Sequence, residues 1–282
     1  MNAIEVRGLR KSYGAFEAVR GIDFELGAGE VFGLLGPNGA GKTTTVEILV
    51  GYRRRDAGEV RVLGKDPERA DRAWRSRIGI VPQTGELFPN LSVIEHLELF
   101  AGYYDNPRPP SEVLAVVGLE EKARARTRML SGGQKRRLDL GVALVGDPEL
   151  LFLDEPTTGF DPGARRAAWE TIRSLRSFGK TILLTTHYIE EAHQLADRVA
   201  VLTRGEIVAS GTPAELIAQA PSTVIRYRRN GEQVVLETEE PVRVLHELTA
   251  EALRDGLELQ GLEVHRPTLE EVYLSLTEEA AE

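Results

Sequence analysis

Apolar and polar positions alternate from the start of the chain. Ile4, Val6 and Leu9 are spaced through 3–10, and Ile22, Phe24 and Leu26 share one face of 19–26. That period of two predicts strands with one buried side. A turn at Gly27-Ala28-Gly29-Glu30 leads into the continuous apolar run Val31–Leu35. Extended segments follow at 58–62 and 78–81, the second ending at Pro82-Gln83. From about 88 to 148 the pattern turns helical. Ser92 and Glu95 form a capping box that opens a helix toward Tyr104. The run 105–110, with three prolines, breaks it. Three further apolar runs, Leu150–Leu153, Thr181–Thr185 and Val199–Leu202, do not alternate. Unbroken apolar strands between helices predict a parallel sheet covered on both faces, an α/β fold.

Beyond about 220 the texture changes. Two alternating runs, 223–229 and 232–238, flank Asn230-Gly231, a strong hairpin signal. A helix is expected from Pro241 to Asp255 with Gly256 as its stop, then an extended run over 257–264, then a helix from Pro267-Thr268 to Leu276. The expected division is a domain at 1–220, with a helical subdomain at about 88–148, and a small α+β domain at 221–282.

Charge sharpens this division. Residues 221–282 carry six Lys/Arg against fourteen Asp/Glu, whereas 1–220 are nearly balanced at twenty-nine against thirty. An acidic accessory piece and a balanced main domain argue against a broad grip on nucleic acid, so no direct nucleic-acid partner is expected. Cysteine is absent, which removes disulfides and thiolate chemistry and fits a reducing compartment. The five histidines lack ligand spacing, so zinc is not expected. No apolar run reaches the roughly 18 residues of a membrane helix, and no signal-peptide pattern is seen. A soluble, cytoplasmic chain is expected, with any membrane role exercised through a partner.

The chemistry begins at Gly36-Pro37-Asn38-Gly39-Ala40-Gly41-Lys42-Thr43, followed by Thr44. The string fits G-x-x-x-x-G-K-[ST] and lies between an apolar strand and a helix-like segment. Glycines let successive N–H groups point inward as an anion nest, and the helix N-terminus adds partial positive charge. Lys42 is then placed for β- and γ-phosphates, and the Thr43 hydroxyl for Mg²⁺. The run Leu150–Leu153 ends in Asp154-Glu155. Asp154 is placed to hold the Mg²⁺ shell, and Glu155 to polarise a water in line with a γ-phosphate. Leu130-Ser131-Gly132-Gly133-Gln134 precedes another helical run and suits a second anion-binding helix start.

Ser131-Gly132-Gly133-Gln134 followed by the Asp154-Glu155 strand resembles the ATP-binding-cassette ATPases over most of 1–215. The resemblance implies a P-loop cassette with a parallel core sheet, an antiparallel β subdomain and a helical subdomain. It also implies roles residue by residue. Tyr13 matches the aromatic that stacks on adenine, Gln83 the glutamine at the hinge to the helical subdomain and near the metal, Asp161 the inter-subunit aspartate, and His187 the γ-phosphate-sensing histidine. Phe160, before Asp161, replaces the usual Leu. Thr186–Ala192 and Arg266–Tyr273 look like the cassettes of bacterial drug and antibiotic exporters, which carry a C-terminal extension of about this length.

If that geometry holds, ATP lies between two copies arranged head to tail. One copy supplies Gly36–Thr44, Gln83, Asp154, Glu155 and His187, and its partner supplies Ser131, Gly132 and Gly133. The resemblance thus implies an ATPase driving export through separate membrane permease subunits, held at the cytoplasmic face of the membrane. Two other readings stay open: a non-transport cassette ATPase acting on a ribosome or nucleic-acid complex, and a small-molecule P-loop kinase, which would leave Ser131–Gln134 without a purpose. The small domain at 221–282 could be a dimer clamp, a regulatory module or a docking element.

Overall fold

The computed structural model describes residues 2–279 except 178, 220–222, 230–231, 257 and 266–267. In chain order the elements are β1 (Asn2–Tyr13), β2 (Phe16–Gly27), β3 (Val31–Leu35), α1 (Lys42–Leu49), β4 (Ala57–Val62), α2 (Arg72–Arg75), β5 (Ile78–Val81), α3 (Val93–Ala101), α4 (Pro110–Val117), α5 (Gly132–Leu144), β6 (Leu150–Asp154), α6 (Pro162–Ser177), β7 (Thr181–Thr186), α7 (Ile189–Leu195), β8 (Arg198–Thr203) and β9 (Glu206–Gly211). There follow α8 (Pro213–Gln219), β10 (Thr223–Arg229), β11 (Glu232–Thr238), α9 (Pro241–Asp255), β12 (Gln260–His265) and α10 (Leu269–Glu279).

Residues 1–210 form one compact unit and 211–282 another. The division falls ten residues ahead of the expected 220/221. The reason is that α8 packs on α10, far along the sequence, and so joins the second unit.

In the first unit six strands form a sheet in the order β5-β6-β7-β3-β8-β9. The pairs β5–β6, β6–β7, β7–β3 and β3–β8 are parallel. The apolar runs are unbroken because each strand faces two cores. Leu151, Leu153, Ile182 and Leu184 enter a core shared with Val93, Leu97, Val113 and Leu138 of the helical region. Their neighbours Phe152 and Leu183 point the other way, into a core with Ile4, Leu9, Ile22 and Phe32. A polar residue on either face of these strands would be stranded in apolar surroundings, at a cost of roughly 1–3 kcal/mol. β2-β1-β4 form a separate antiparallel sheet. The expected Ser92 capping box is present: Ser92 N–H donates to Glu95 Oε2 at 2.7 Å, and Glu95 N–H to Ser92 Oγ at 3.4 Å.

The strand β9 had no counterpart in the sequence reading. It follows β8 across Arg204-Gly205, whose φ values of 50° and 83° suit a two-residue hairpin turn. In the second unit, β10 pairs antiparallel with β11 from Thr223↔Thr238 to Arg229↔Glu232, the register of the expected hairpin. Its turn, Asn230-Gly231, lies outside the described residues, as does Leu257. β12 pairs on the other side of β10. No helix among the described residues is long and apolar enough to cross a membrane.

Candidate functional site

The loop after β3 is built on close backbone approach. A Cβ at Gly36 would stand 2.2 Å from the Leu202 carbonyl oxygen. Gly41 has φ 106°, open only to glycine, and a Cβ there would reach within 2.4 Å of Ala18 O. From beneath, Gly205 N–H donates to Ala40 O at 3.0 Å, so the β8–β9 turn supports the loop. α1 begins at Lys42, and the cleft above it is lined by Tyr13, Phe16, Asn38, Gly39, Gly41, Lys42, Thr43, Thr44, Gln83 and Glu155, with a volume of about 280 Å³. Pro37 contributes a carbonyl to Lys42 instead of a wall to the cleft.

Lys42 is buried. Its Nζ donates to Gly36 O at 2.7 Å and Pro37 O at 3.1 Å, and lies 3.3 Å from Glu155 Oε1. Burial pulls its pKa below the ordinary lysine value, against the attraction of Glu155 and Asp154. Asp154 shifts the other way. Burial raises its pKa, opposed by hydrogen bonds from Thr185 and Thr43. Glu155 is also buried, and burial alone would raise it. Lys42, the Thr158 hydroxyl and His187 outweigh that and hold it below the usual carboxylate value.

Glu155 has φ 47°, a left-handed conformation rare outside glycine. Its N–H donates to Thr185 O at 3.1 Å and Thr185 Oγ1 at 3.0 Å, which fixes the strained turn. Its Oε2 accepts from Thr158 Oγ1 at 3.0 Å and Gln83 Nε2 at 3.2 Å, and His187 Nδ1 stands 3.3 Å away. Gln83 therefore faces Glu155. Thr43 Oγ1 instead reaches Asp154 Oδ1, at 3.4 Å. Tyr13 presents a ring 41% exposed, with the Arg53 guanidinium 5.1 Å from its centre and its hydroxyl 3.4 Å from Thr44 Oγ1. Beside it Phe16 is 58% exposed. Two exposed aromatics at one edge of a polar cleft offer a stacking platform for a planar base.

Ser131, Gly132, Gly133, Gln134 and Asp161 do not line this cleft. Ser131 caps α5, its N–H donating to Gln134 Oε1 at 2.9 Å and its Oγ accepting from Gln134 N–H at 3.3 Å. Asp161 caps α6, Oδ1 accepting from Gly163 and Ala164 N–H at 2.9 Å each. Both loops are exposed at their helix starts.

Sequence reasoning passed over Phe16, Thr158 and Thr185. Phe16 had a legible signal, an aromatic three residues after Tyr13. Thr185 had none, because its role depends on β7 lying beside β6.

Residues 19–158 match the ABC transporter family. Over 97% of its length the chain is 41% identical to a Nod factor export ATP-binding protein I from Ralstonia nicotianae (strain ATCC BAA-1114 / GMI1000), covering 93% of that protein. It belongs to the ABC transporter family, as an ATPase subunit. The family match over 19–158 does not include Tyr13, Asp161 or His187. Among solved structures, the fold resembles the ATP-binding subunit of an ABC transporter, with TM-score 0.71, 26% identity and coverage of 98% and 99%. It also resembles a dimeric ATP-binding cassette in a post-hydrolysis state bound to ADP and Pi, with TM-score 0.67, 25% identity and coverage of 74% and 98%. This ABC ATPase accordingly binds and hydrolyses ATP, and its cassette is the expected mix of parallel core sheet, antiparallel sheet and helices.

Proposed function

We propose that this ATPase subunit powers export of a small molecule through separate membrane permease subunits, working as a head-to-tail pair at the cytoplasmic face of the membrane. The relative from Ralstonia nicotianae carries export in its name, which supports the direction. The observation that carries the paired arrangement is the absence of Ser131–Gln134 and Asp161 from the nucleotide cleft of their own chain. An ABC ATPase cleft open on that side is completed when a second copy lays its Ser131 loop over the nucleotide, a two-fold interface.

Each side chain then has a task. Tyr13 and Phe16 stack on the base, and the Gly36–Thr44 loop wraps the phosphates. Lys42 leaves Glu155 and the Gly36 and Pro37 carbonyls to meet the β- and γ-phosphates. That exchange frees Glu155 to accept a proton from the attacking water, with Gln83 and His187 orienting water and γ-phosphate. The hydroxyl of Thr43 and carboxylate of Asp154 are hard oxygen donors 3.4 Å apart, a set that suits Mg²⁺. Mg²⁺ bound there would neutralise charge developing on the phosphate oxygens. Transfer to water needs this positioning and charge more than covalent chemistry.

The test is Glu155→Gln. It keeps shape and removes the base, so ATP binding survives while cleavage fails. Light scattering should report a dimer with ATP and a monomer without. A monomer at saturating ATP would overturn the paired arrangement.

A further inference from the structure

Arg136 lies on α5 with a side chain only 12% exposed, and its guanidinium grips two different segments. One edge faces the end of β6: Nε donates to Pro156 O at 3.1 Å, and Nη2 to Asp154 O at 2.8 Å and Glu155 O at 3.3 Å. The other edge faces the end of β5: Nη1 donates to Pro82 O by a short bond and reaches Gln83 O at 3.5 Å. These strands are parallel neighbours, paired through Val81↔Leu153. The nearest carboxylate bonded into neither segment is Asp139, 3.9 Å away on the same helix. A buried cation is costly unless it is hydrogen-bonded, and carbonyls from both segments supply those bonds, so the guanidinium and the two segments hold one another in place. Here the carbonyls belong to, or adjoin, Gln83 and Glu155, whose side chains meet at 3.2 Å in the cleft. Contact between α5 and this loop continues at Gly85, where a Cβ would come within 2.7 Å of Asp139 Oδ1.

We propose that Arg136 is a positioning residue for ATP hydrolysis: its two-edged fork sets Gln83 and Glu155 relative to each other and ties both to the pose of α5. Ser131 stands five residues earlier, at the start of the same helix, about 7.5 Å along its axis. A rigid helix of that length carries any displacement of the Ser131 loop to the carbonyl of Glu155. Engagement of a second copy would then be felt at the base before cleavage. This rests on the roles given to Gln83, Glu155 and Ser131 above.

The test uses the full chain, measuring steady-state turnover and the affinity for a fluorescent ATP analogue. Arg136→Gln should lower kcat at least about tenfold while KM and the analogue's Kd stay within about twofold, the pattern of an interaction expressed only in turnover. Arg136→Lys should remain as slow, because a point donor cannot span both segments. In the Gln83→Ala background, Arg136→Gln should cost less than about threefold further, because the two act through one geometry. A folded Arg136→Gln within about threefold of the parent kcat, recovery of turnover by Lys, or a full multiplicative loss in the double variant would each overturn the proposal. Should the Gln variant not fold, the Lys variant carries the test. Lys42→Ala separates the layers. If it retains turnover, the underlying site reading fails. If it is inactive while Arg136→Gln is normal, only the inference about Arg136 fails.

Discussion

The cleft holds a buried ion pair, Lys42–Glu155, 3.3 Å apart with side chains 4% and 5% exposed. Their attraction at an effective dielectric near 20 is about 5 kcal/mol. Desolvation of both groups offsets most of that, and Lys42 keeps bonds to Gly36 and Pro37 carbonyls that need no carboxylate. A net coupling of about 1–3 kcal/mol is expected. It is read from a four-protein cycle: the parent, Lys42→Met, Glu155→Gln and the double variant, each unfolded in urea without nucleotide. Each single change strands a partner in a buried site, so the double variant should be less destabilised than the sum of the singles by that coupling. The chain's two tryptophans, Trp74 and Trp169, are both buried in the 1–210 unit, so fluorescence follows the unit that holds the pair. A coupling below about 0.5 kcal/mol with unchanged denaturant slope would refute the pairing.

Two further outcomes are expected. Ser131→Arg should leave binding of a fluorescent ATP analogue to the isolated chain within about twofold and abolish phosphate release, since Ser131 lies outside its own cleft; the lost helix cap costs about 1 kcal/mol. Burial raises Asp139 from its ordinary 3.8 to about 6, opposed by Arg136. The folded state holds that proton more tightly than the unfolded state does, so the linked stability is complete below about pH 4 and is lost as pH rises through 6. Asp139→Asn removes the linkage, and its stability relative to the parent should grow by about 1–2 kcal/mol between pH 5 and pH 8 in urea titrations. A difference that does not change with pH would exclude the perturbed carboxyl.

Local signals in the sequence were physical and survived. The strands β6, β7 and β3 were legible because burial on both faces keeps their central residues apolar, with Thr and Asp only towards the strand ends. The helix start at Ser92 was legible because a capping box is closed within four residues, and the one at Ser131 from its serine and glycines ahead of a helical run; that Ser131 also closes a capping box with Gln134 is seen in the structure. What escaped depends on which strand lies beside which. Nothing in the spacing puts β7 next to β6, so nothing in it says that Thr185 bonds Asp154 and receives the Glu155 N–H. β9 escaped for a related reason: its pattern is weak, and its identity comes from the turn at Arg204-Gly205, whose N–H also props Ala40. The boundary at 210/211 escaped because α8 is claimed by α10, about fifty residues later in the sequence.

The same distinction explains the double character of the Ser131 and Asp161 loops. Within one chain each serves as a helix cap, Ser131 Oγ and Asp161 Oδ1 accepting from N–H groups of their own helix start. A single-chain view therefore gives them no catalytic purpose. Yet a capped helix start is also a rigid one, and in α5 the rigidity continues inward to Arg136, which holds the carbonyls of Asp154 and Glu155. Closing the cap locally thus converts a surface loop into the outer end of a lever whose inner end is the carboxylate pair. A flexible loop could bind a second copy's nucleotide equally well, but it could not report that binding to its own Glu155. Cap and fork are useful together in a way neither is alone, and that makes Arg136 a sharper probe of coupling between two clefts than Ser131 itself.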